Sequence, residues 1–254
     1  MPDKRTHRGK HPTDERLFAV GRLDALRTAV AEYSWLLTHG YAHDSALKLV
    51  GDRHDLTARQ RTAVMRSSCS DQALHRRRQT RTTLADAAGA RLGIDGYNLL
   101  ITIESALSGG LILVGRDGCY RDLASIHGTY RKVTETIPAV ELIADYLAKR
   151  DLAHIDWYLD RPVSNSGRLK ALMADLLEQR GQHPGGRTRW NIELPDSPDA
   201  VLADYTGPIA TSDSAVLDRC TNWINLAAEI VDALIPSAWK VDLRPDDHEA
   251  SLKP

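Results

Sequence analysis

Four aspartates occupy the same kind of place in this chain. Asp95 closes the apolar run of "RLGID", Asp117 closes "GLILVGRD", Asp160 closes "AHIDWYLD" and Asp213 closes "GPIATSD". Each run reads as a strand, so each acid stands where a strand gives out. In an open parallel sheet such ends share one edge, and ligands bind outside the carboxyl ends of the strands. Carboxylates gathered there repel one another, so some take up protons or a cation joins them. Glu104 and Asp218, on the helices that follow two of these strands, are candidates for the same crevice.

No histidine or cysteine cluster accompanies the acids, and oxygen ligands alone suit Mg²⁺ or Mn²⁺ rather than zinc. Carboxylate-held Mg²⁺ bridges to phosphate oxygens, generates an attacking hydroxide and neutralises a leaving oxyanion. The chemistry predicted is phosphodiester hydrolysis, with Asp95, Glu104, Asp117, Asp160 and Asp213 as catalytic candidates. The four strand-end aspartates are the predicted metal ligands. Plainer roles stay open for each: Asp213 as a helix N-cap, and Asp160 and Asp117 as turn residues.

Other residues could meet the phosphate. "GRDGCYRDLASIHGTYRKV" follows a strand and offers Arg121 and Arg131 for phosphate and His127 as a proton carrier, beside Asp122. Asp122 could equally pair with a nearby arginine. Ser164, Asn165 and Ser166 stand at a helix start, where backbone N–H groups hold anions or where these residues cap the helix. Arg76, Arg77 and Arg78, in "HRRRQTRTTL", form either a phosphate-contacting strip or a solvated linker.

The elements that must position these groups come in two styles. Up to about residue 84 the spacing is helical. One helix is predicted over 13–40, capped by Thr13 and stopped by Gly40; another covers about 42–50, and a third starts at the Thr57–Gln60 capping box. The last two, joined by "GDRHDL", have a helix-turn-helix look. From residue 92 strands alternate with helices: "NLLITIESALS", "TIPAVELIADYLAKRD", the stretch after Ser166 and a long final helix, "SAVLDRCTNWINLAAEIVDALI". "AVLADY" reads as a strand. That alternation predicts an α/β class, a three-layer α/β/α domain with a mainly parallel sheet, behind a helical N-terminal domain. The boundaries expected are 1–84 and 85–254, with a frayed tail from about Arg244.

Charge divides along the same line. Residues 1–92 carry 17 Lys+Arg against 10 Asp+Glu, a net of +7, and residues 93–254 carry 16 against 24, a net of −8. A basic part suits phosphates and an acidic part suits cations. No apolar run approaches the roughly 20 residues of a membrane span, and the polar first residues are not a secretory signal. Three scattered cysteines argue against a disulfide framework and for a cytoplasmic setting.

"DGYN" at a first strand end, Glu104 on the next helix and "TSD" at a late strand end resemble the PIN and NYN nuclease superfamily, over about residues 92–235. The resemblance implies an acidic Mg²⁺ or Mn²⁺ pocket that cleaves RNA, usually single-stranded. It implies Asp95 as the first ligand supported by Asn98, and Asp213 as a further ligand on a turn shaped by Thr211 and Ser212. It also leaves a homodimer open. "GRDGCYRDLASIHGTYRKV" departs from that pattern. The whole chain also resembles an uncharacterised prokaryotic family that joins a helical N-terminal domain to a PIN-like one. The function expected is a metal-dependent, PIN-like ribonuclease; the alternative is a nucleic-acid-binding or regulatory protein whose PIN-like domain no longer cleaves. An aspartyl phosphatase fits less well, because Tyr97 stands where such enzymes carry a second aspartate.

Overall fold

The computed structural model describes residues 7–124, 128–181 and 189–245. Five helices come first: α1 (Asp14–Leu17), α2 (Val20–Thr38), α3 (His43–Arg53), α4 (Ala58–Ser67) and α5 (Asp71–Thr80). The helix expected over 13–40 is broken at Phe18 and Ala19. Buried Phe18 turns inward there, and buried Asp14 is held bidentately by Arg59, at 2.5 and 2.8 Å. Gln60 Nε2 donates to the freed Leu17 carbonyl. Gly40 stops α2 as expected, at φ +80, and the Thr57–Gln60 capping box opens α4. The basic bridge is α5, capped by Ser70.

The α/β region follows as β1 (Arg91–Asp95), α6 (Gly96–Leu107), β2 (Leu111–Val114), β3 (Tyr120–Asp122), α7 (Thr136–Ala148), β4 (His154–Tyr158) and α8 (Ser166–Gly181). It continues with β5 (Arg189–Glu193), α9 (Pro198–Ala203), β6 (Ile209–Ala210), α10 (Ser214–Leu217), β7 (Trp223–Ile224), α11 (Leu226–Leu234) and β8 (Trp239–Asp242). The main sheet runs β5-β4-β1-β6-β7, every neighbouring pair parallel. Side chains alternate across it. Leu92, Ile94, Ile155 and Trp157 meet α6, α7, α8 and α11 on one face, while Tyr158, Ile209 and Trp223 meet α9 and α10 on the other. The class is therefore α/β with a helical N-terminal region, as the alternation predicts.

Two readings of the late chain are corrected. "AVLADY" is not a strand: Ser197, Pro198 and Asp199 make an N-cap, a first-turn proline and a first-turn acid, and open α9. The long final helix is interrupted by β7, because buried Trp223 and Ile224 complete the sheet edge before α11 starts. Strands β3, β5 and β8 were not expected.

The strand "GLILVGRD" also has a different home. β2 lies in a second sheet, β3-β2-β8, antiparallel to β3 and parallel to β8. Ile112 and Val114 face the core of the main sheet, whereas Leu111 and Leu113 face Leu26, Val30, Tyr33 and Val64 of the helices. One apolar run thus serves two cores. Asp117 consequently lies in the tight Gly115–Gly118 turn to β3, not at the end of a strand of the main sheet.

In that turn Asp117 is fully enclosed by cations. Its Oδ2 accepts from Arg77 Nη1 of α5 at 2.6 Å and from Arg121 Nη2 of β3 at 2.7 Å, and Arg121 Nη1 donates to Oδ1 at 2.9 Å. Arg77 Nε reaches Asp218 at 2.7 Å, and Arg121 Nε donates to the Ser212 carbonyl at 2.8 Å. Burial pushes the Asp117 carboxyl up, but the Arg121 and Arg77 charges outweigh it and hold it well below the usual carboxylate range. This network fastens the helical region, the second sheet and the loop after β6 to one another. Asp117→Ala is expected to cost about 3–5 kcal/mol in urea titrations at pH 7, because two buried guanidiniums lose their shared partner. A cost below roughly 0.5 kcal/mol, the range of ordinary surface substitutions, would contradict this role.

Candidate functional site

Chain order reverses between β1 and β6. From β1 the sheet grows through β4 to β5 on one side, then the chain returns to place β6 and β7 on the other. Ligand crevices form at such a reversal, outside the carboxyl ends of the strands. Asp95 is the last residue of β1, and Thr211, Ser212 and Asp213 follow directly on β6. The expected meeting of "DGYN" with "TSD" is thus made by the two strands flanking the reversal.

Local chemistry sets the details. A Cβ on Gly96 would lie 2.7 Å from the Tyr158 carbonyl and 2.5 Å from Leu159 Cδ2, so only glycine lets α6 start this close to β4. Thr211 Oγ1 donates to Asp95 Oδ2 at 2.8 Å and accepts from Asp213 N at 3.0 Å. Asn98 Oδ1 accepts from Ser212 N at 3.0 Å and from Ser212 Oγ at 2.5 Å. The two motifs are cross-linked through their own side chains.

Asp95 is 7% exposed and, among the described residues, makes no ion pair. Burial raises its carboxyl to about 7, and the Asp213 and Asp199 charges add to this, while the Thr211 hydrogen bond pulls the other way. Asp213 caps α10, its Oδ1 accepting from Ala215 N at 2.8 Å and Val216 N at 3.1 Å. The cap reading therefore holds, and it leaves Oδ2 without a bond among the described residues. Asp199, in the first turn of α9, is raised by burial and by the Asp213 and Asp160 charges. Asp160 stands two residues beyond β4 and is itself raised by burial.

A cavity of about 750 Å³ opens at this reversal. Asp95, Asn98, Asp122, Asp199, Ser212, Asp213 and Asp218 are among its lining on the α/β side, and residues of α2, α4, α5 and the α2–α3 turn line the other. Asp199 and the helical wall are the parts that sequence reasoning missed. The N-cap, proline and acid of "SPDAV" are the signal that would have placed Asp199 at a helix start.

The remaining candidates fall elsewhere or take other work. Glu104 is fully buried outside the cavity lining, accepting from Arg8 Nε at 2.7 Å, Tyr130 OH at 2.5 Å and Thr136 Oγ1 at 2.6 Å. Asp117 is enclosed by its two arginines. Arg121 and Arg77 line the cavity but spend their guanidiniums on Asp117, Asp218 and backbone carbonyls. Asp122 lines it too, raised by burial against the opposing Arg66 charge, with Thr102 and Ala124 N donating to it. Arg131 lies outside the lining, its carbonyl accepting from Arg8. Ser164 and Asn165 bond the backbone around Gly128 and Tyr130, and Ser166 Oγ bonds the Asp160 carbonyl at 2.6 Å and Tyr97 OH at 2.7 Å. Arg76 donates to the Arg219 and Cys220 carbonyls, and Arg78 is exposed. His127 lies outside the described residues.

The Asp95 position carries a pH signature. In EDTA its carboxyl titrates near 7 folded and near about 3.9 unfolded. The folded chain then holds an extra proton between those values, so this group lowers stability as pH climbs from about 4 to about 7. Asp95→Asn removes the effect. In paired urea titrations the variant is expected to match wild type near pH 4 and exceed it at pH 8 by up to about 4 kcal/mol. A stability difference independent of pH would refute the assignment.

Two family models match the chain. Residues 25–80 match "Protein of unknown function (DUF434)" and residues 84–229 match "Domain of unknown function (DUF5616)". The "Uncharacterized protein MJ0935" of Methanocaldococcus jannaschii is 29% identical over 145 residues, covering 57% of this chain and 69% of that protein. No solved structure matches. Among the described residues no helix is long and apolar enough to cross a membrane. With residues 84–229 matched, more than half its length, the chain belongs to the DUF5616 family.

Proposed function

We propose that the cleft at the β1–β6 reversal is the active site of a metal-dependent nuclease of PIN-like kind, acting on single-stranded RNA. One observation carries this reading. A buried carboxylate, Asp95, opens on a cavity beside Asp213 and Asp199, and among the described residues no cation is paired to it. A divalent ion relieves that crowding, and proton uptake at neutral pH is the alternative.

The donor set fits Mg²⁺ or Mn²⁺. All its members are oxygens, and Asp95 and Asp213 would be the ligands. Among the described residues no three His, Cys, Asp or Glu side chains group closely enough to enclose an ion unaided. Mg²⁺ does not require that, since one or two carboxylates plus waters and substrate phosphates commonly hold it. When bound, such an ion polarises the phosphate and acidifies water.

The protein groups divide the remaining work. Thr211 fixes the Asp95 carboxylate through Oδ2. The Asn98–Ser212 bonds hold the Asp213 turn in place behind it. Asp199, raised by its surroundings, is poised to take the proton released as water attacks phosphorus. Asp160 adds charge at the rim without lining the cavity.

Cleavage of a labelled single-stranded RNA in Mn²⁺ is the test. Wild type is expected to cut and EDTA to abolish cutting. Asp95→Asn and Asp213→Asn are each expected to lose at least about 100-fold in rate, the scale of removing a preorganised electrostatic group. Cutting that persists in the double variant refutes the proposal. Salt-sensitive binding without turnover in Mn²⁺ would mark a non-catalytic RNA-binding protein instead.

A further inference from the structure

The cleft has a second wall that none of the acid chemistry uses. Tyr41 stands just past the end of α2, after Gly40 turns the chain at φ +80 and Tyr41 N donates to the Leu36 carbonyl at 3.1 Å. Its side chain is left in the open: the residue is 54% exposed, and Met65 on α4 is 43% exposed. Two of the large apolar side chains most exposed among the described residues thus line the same cavity as Asp95 and Asp213. Arg66, next to Met65 on α4, lines the cavity as well. Its Nη1 donates to the Asp122 carbonyl at 2.7 Å and pairs with Asp122 Oδ1 at 3.5 Å, while Nε and Nη2 have no hydrogen bond among the described residues.

The arrangement is that of a ligand with one flat apolar part and one anionic part. An exposed aromatic ring, with a polarisable thioether lining the same cavity, offers a stacking face. A guanidinium with two free donor positions suits a phosphate oxygen. Base stacking on aromatic side chains is tolerant of sequence and needs a base whose face is free. A duplex keeps both faces of its bases stacked and presents neither to Tyr41. A cavity of about 750 Å³ lies within the roughly 300–1,000 Å³ of small-ligand sites, room for a nucleotide rather than for a double helix.

We propose that the helical region forms a nucleotide subsite of this cleft, in which Tyr41 and Met65 receive an unpaired base and Arg66 the phosphate of the same nucleotide. The subsite rests on reading the opposite wall as a phosphodiester-cleaving site. It gives the helical region a part in substrate selection: Tyr41, Met65 and Arg66 choose unpaired nucleotides, and the acids on the far wall act on the adjoining linkage.

A 5′-fluorescein ten-nucleotide oligouridine tests this. Binding is followed by anisotropy with Ca²⁺ in place of Mn²⁺, and turnover is followed in Mn²⁺. Tyr41→Ala is expected to raise Kd and KM roughly tenfold or more, leaving kcat and the urea midpoint unchanged. Tyr41→Phe, which keeps the ring, is expected to stay near wild type. If wild type cuts the oligonucleotide while Tyr41→Ala and Met65→Ala bind it equally well, the subsite is wrong and the nuclease reading stands. If wild type binds in a Tyr41-dependent way but never cuts, the subsite stands and the nuclease reading falls. If wild type does not bind, both fall.

Discussion

A carboxylate buried at the end of the central strand, with other carboxylates near it and no basic partner among the described residues, is the constraint around which this structure is organised. Desolvation and like charges both disfavour its ionised form. The fold nevertheless holds it in place with a threonine hydroxyl rather than an arginine, and keeps glycine beside it so that α6 can begin at once. Such a group stays uncompensated until a proton or a cation arrives. Its position at the strand-order reversal, facing a cavity, is the ground on which a cation is proposed there.

The arginines that might have neutralised the rim are engaged nearby. Arg77 and Arg121 converge on Asp117, deep in the turn between β2 and β3. The arrangement has a consequence for architecture. Because Arg77 comes from α5 and Arg121 also grips the Ser212 carbonyl, the helical region is anchored directly behind the loop that carries Asp213. The helices are thereby set opposite the acids, and the cavity becomes a cleft with an acidic wall and an aromatic one. The charge division visible along the chain is the linear trace of this, although the central arginine of the basic run faces inward, not toward solvent.

Much of this was legible in the residues, and the exceptions share a cause. β1, α6 and β4 announce themselves by mainly apolar runs, and a parallel sheet follows from the alternation of strands with helices. Hence Asp95 and Asp213 are expected at one rim, and Asp95 ends β1 while Asp213 follows the adjacent, parallel β6. The same expectation fails for Asp117, because an apolar run such as "LILV" marks a buried strand without saying which sheet it joins. Glu104 sits on the expected helix, yet which way that helix turns its acid depends on Arg8, Tyr130 and Thr136, far apart in sequence. The long final helix failed because Trp223 and Ile224 are as compatible with helical spacing as with a strand, and only the open sheet edge decides between them. Tyr41 and Met65 carry no local signal at all; their significance arises from what the fold sets across from them.

The most direct measurement is anomalous diffraction from crystals of the wild-type chain soaked in Mn²⁺. A cation required by the buried strand-end carboxylate should appear as a peak about 2.1 Å from an Asp95 oxygen, and should vanish in Asp95→Asn crystals soaked alike. Manganese bound only elsewhere, or a peak indifferent to that substitution, would contradict the account.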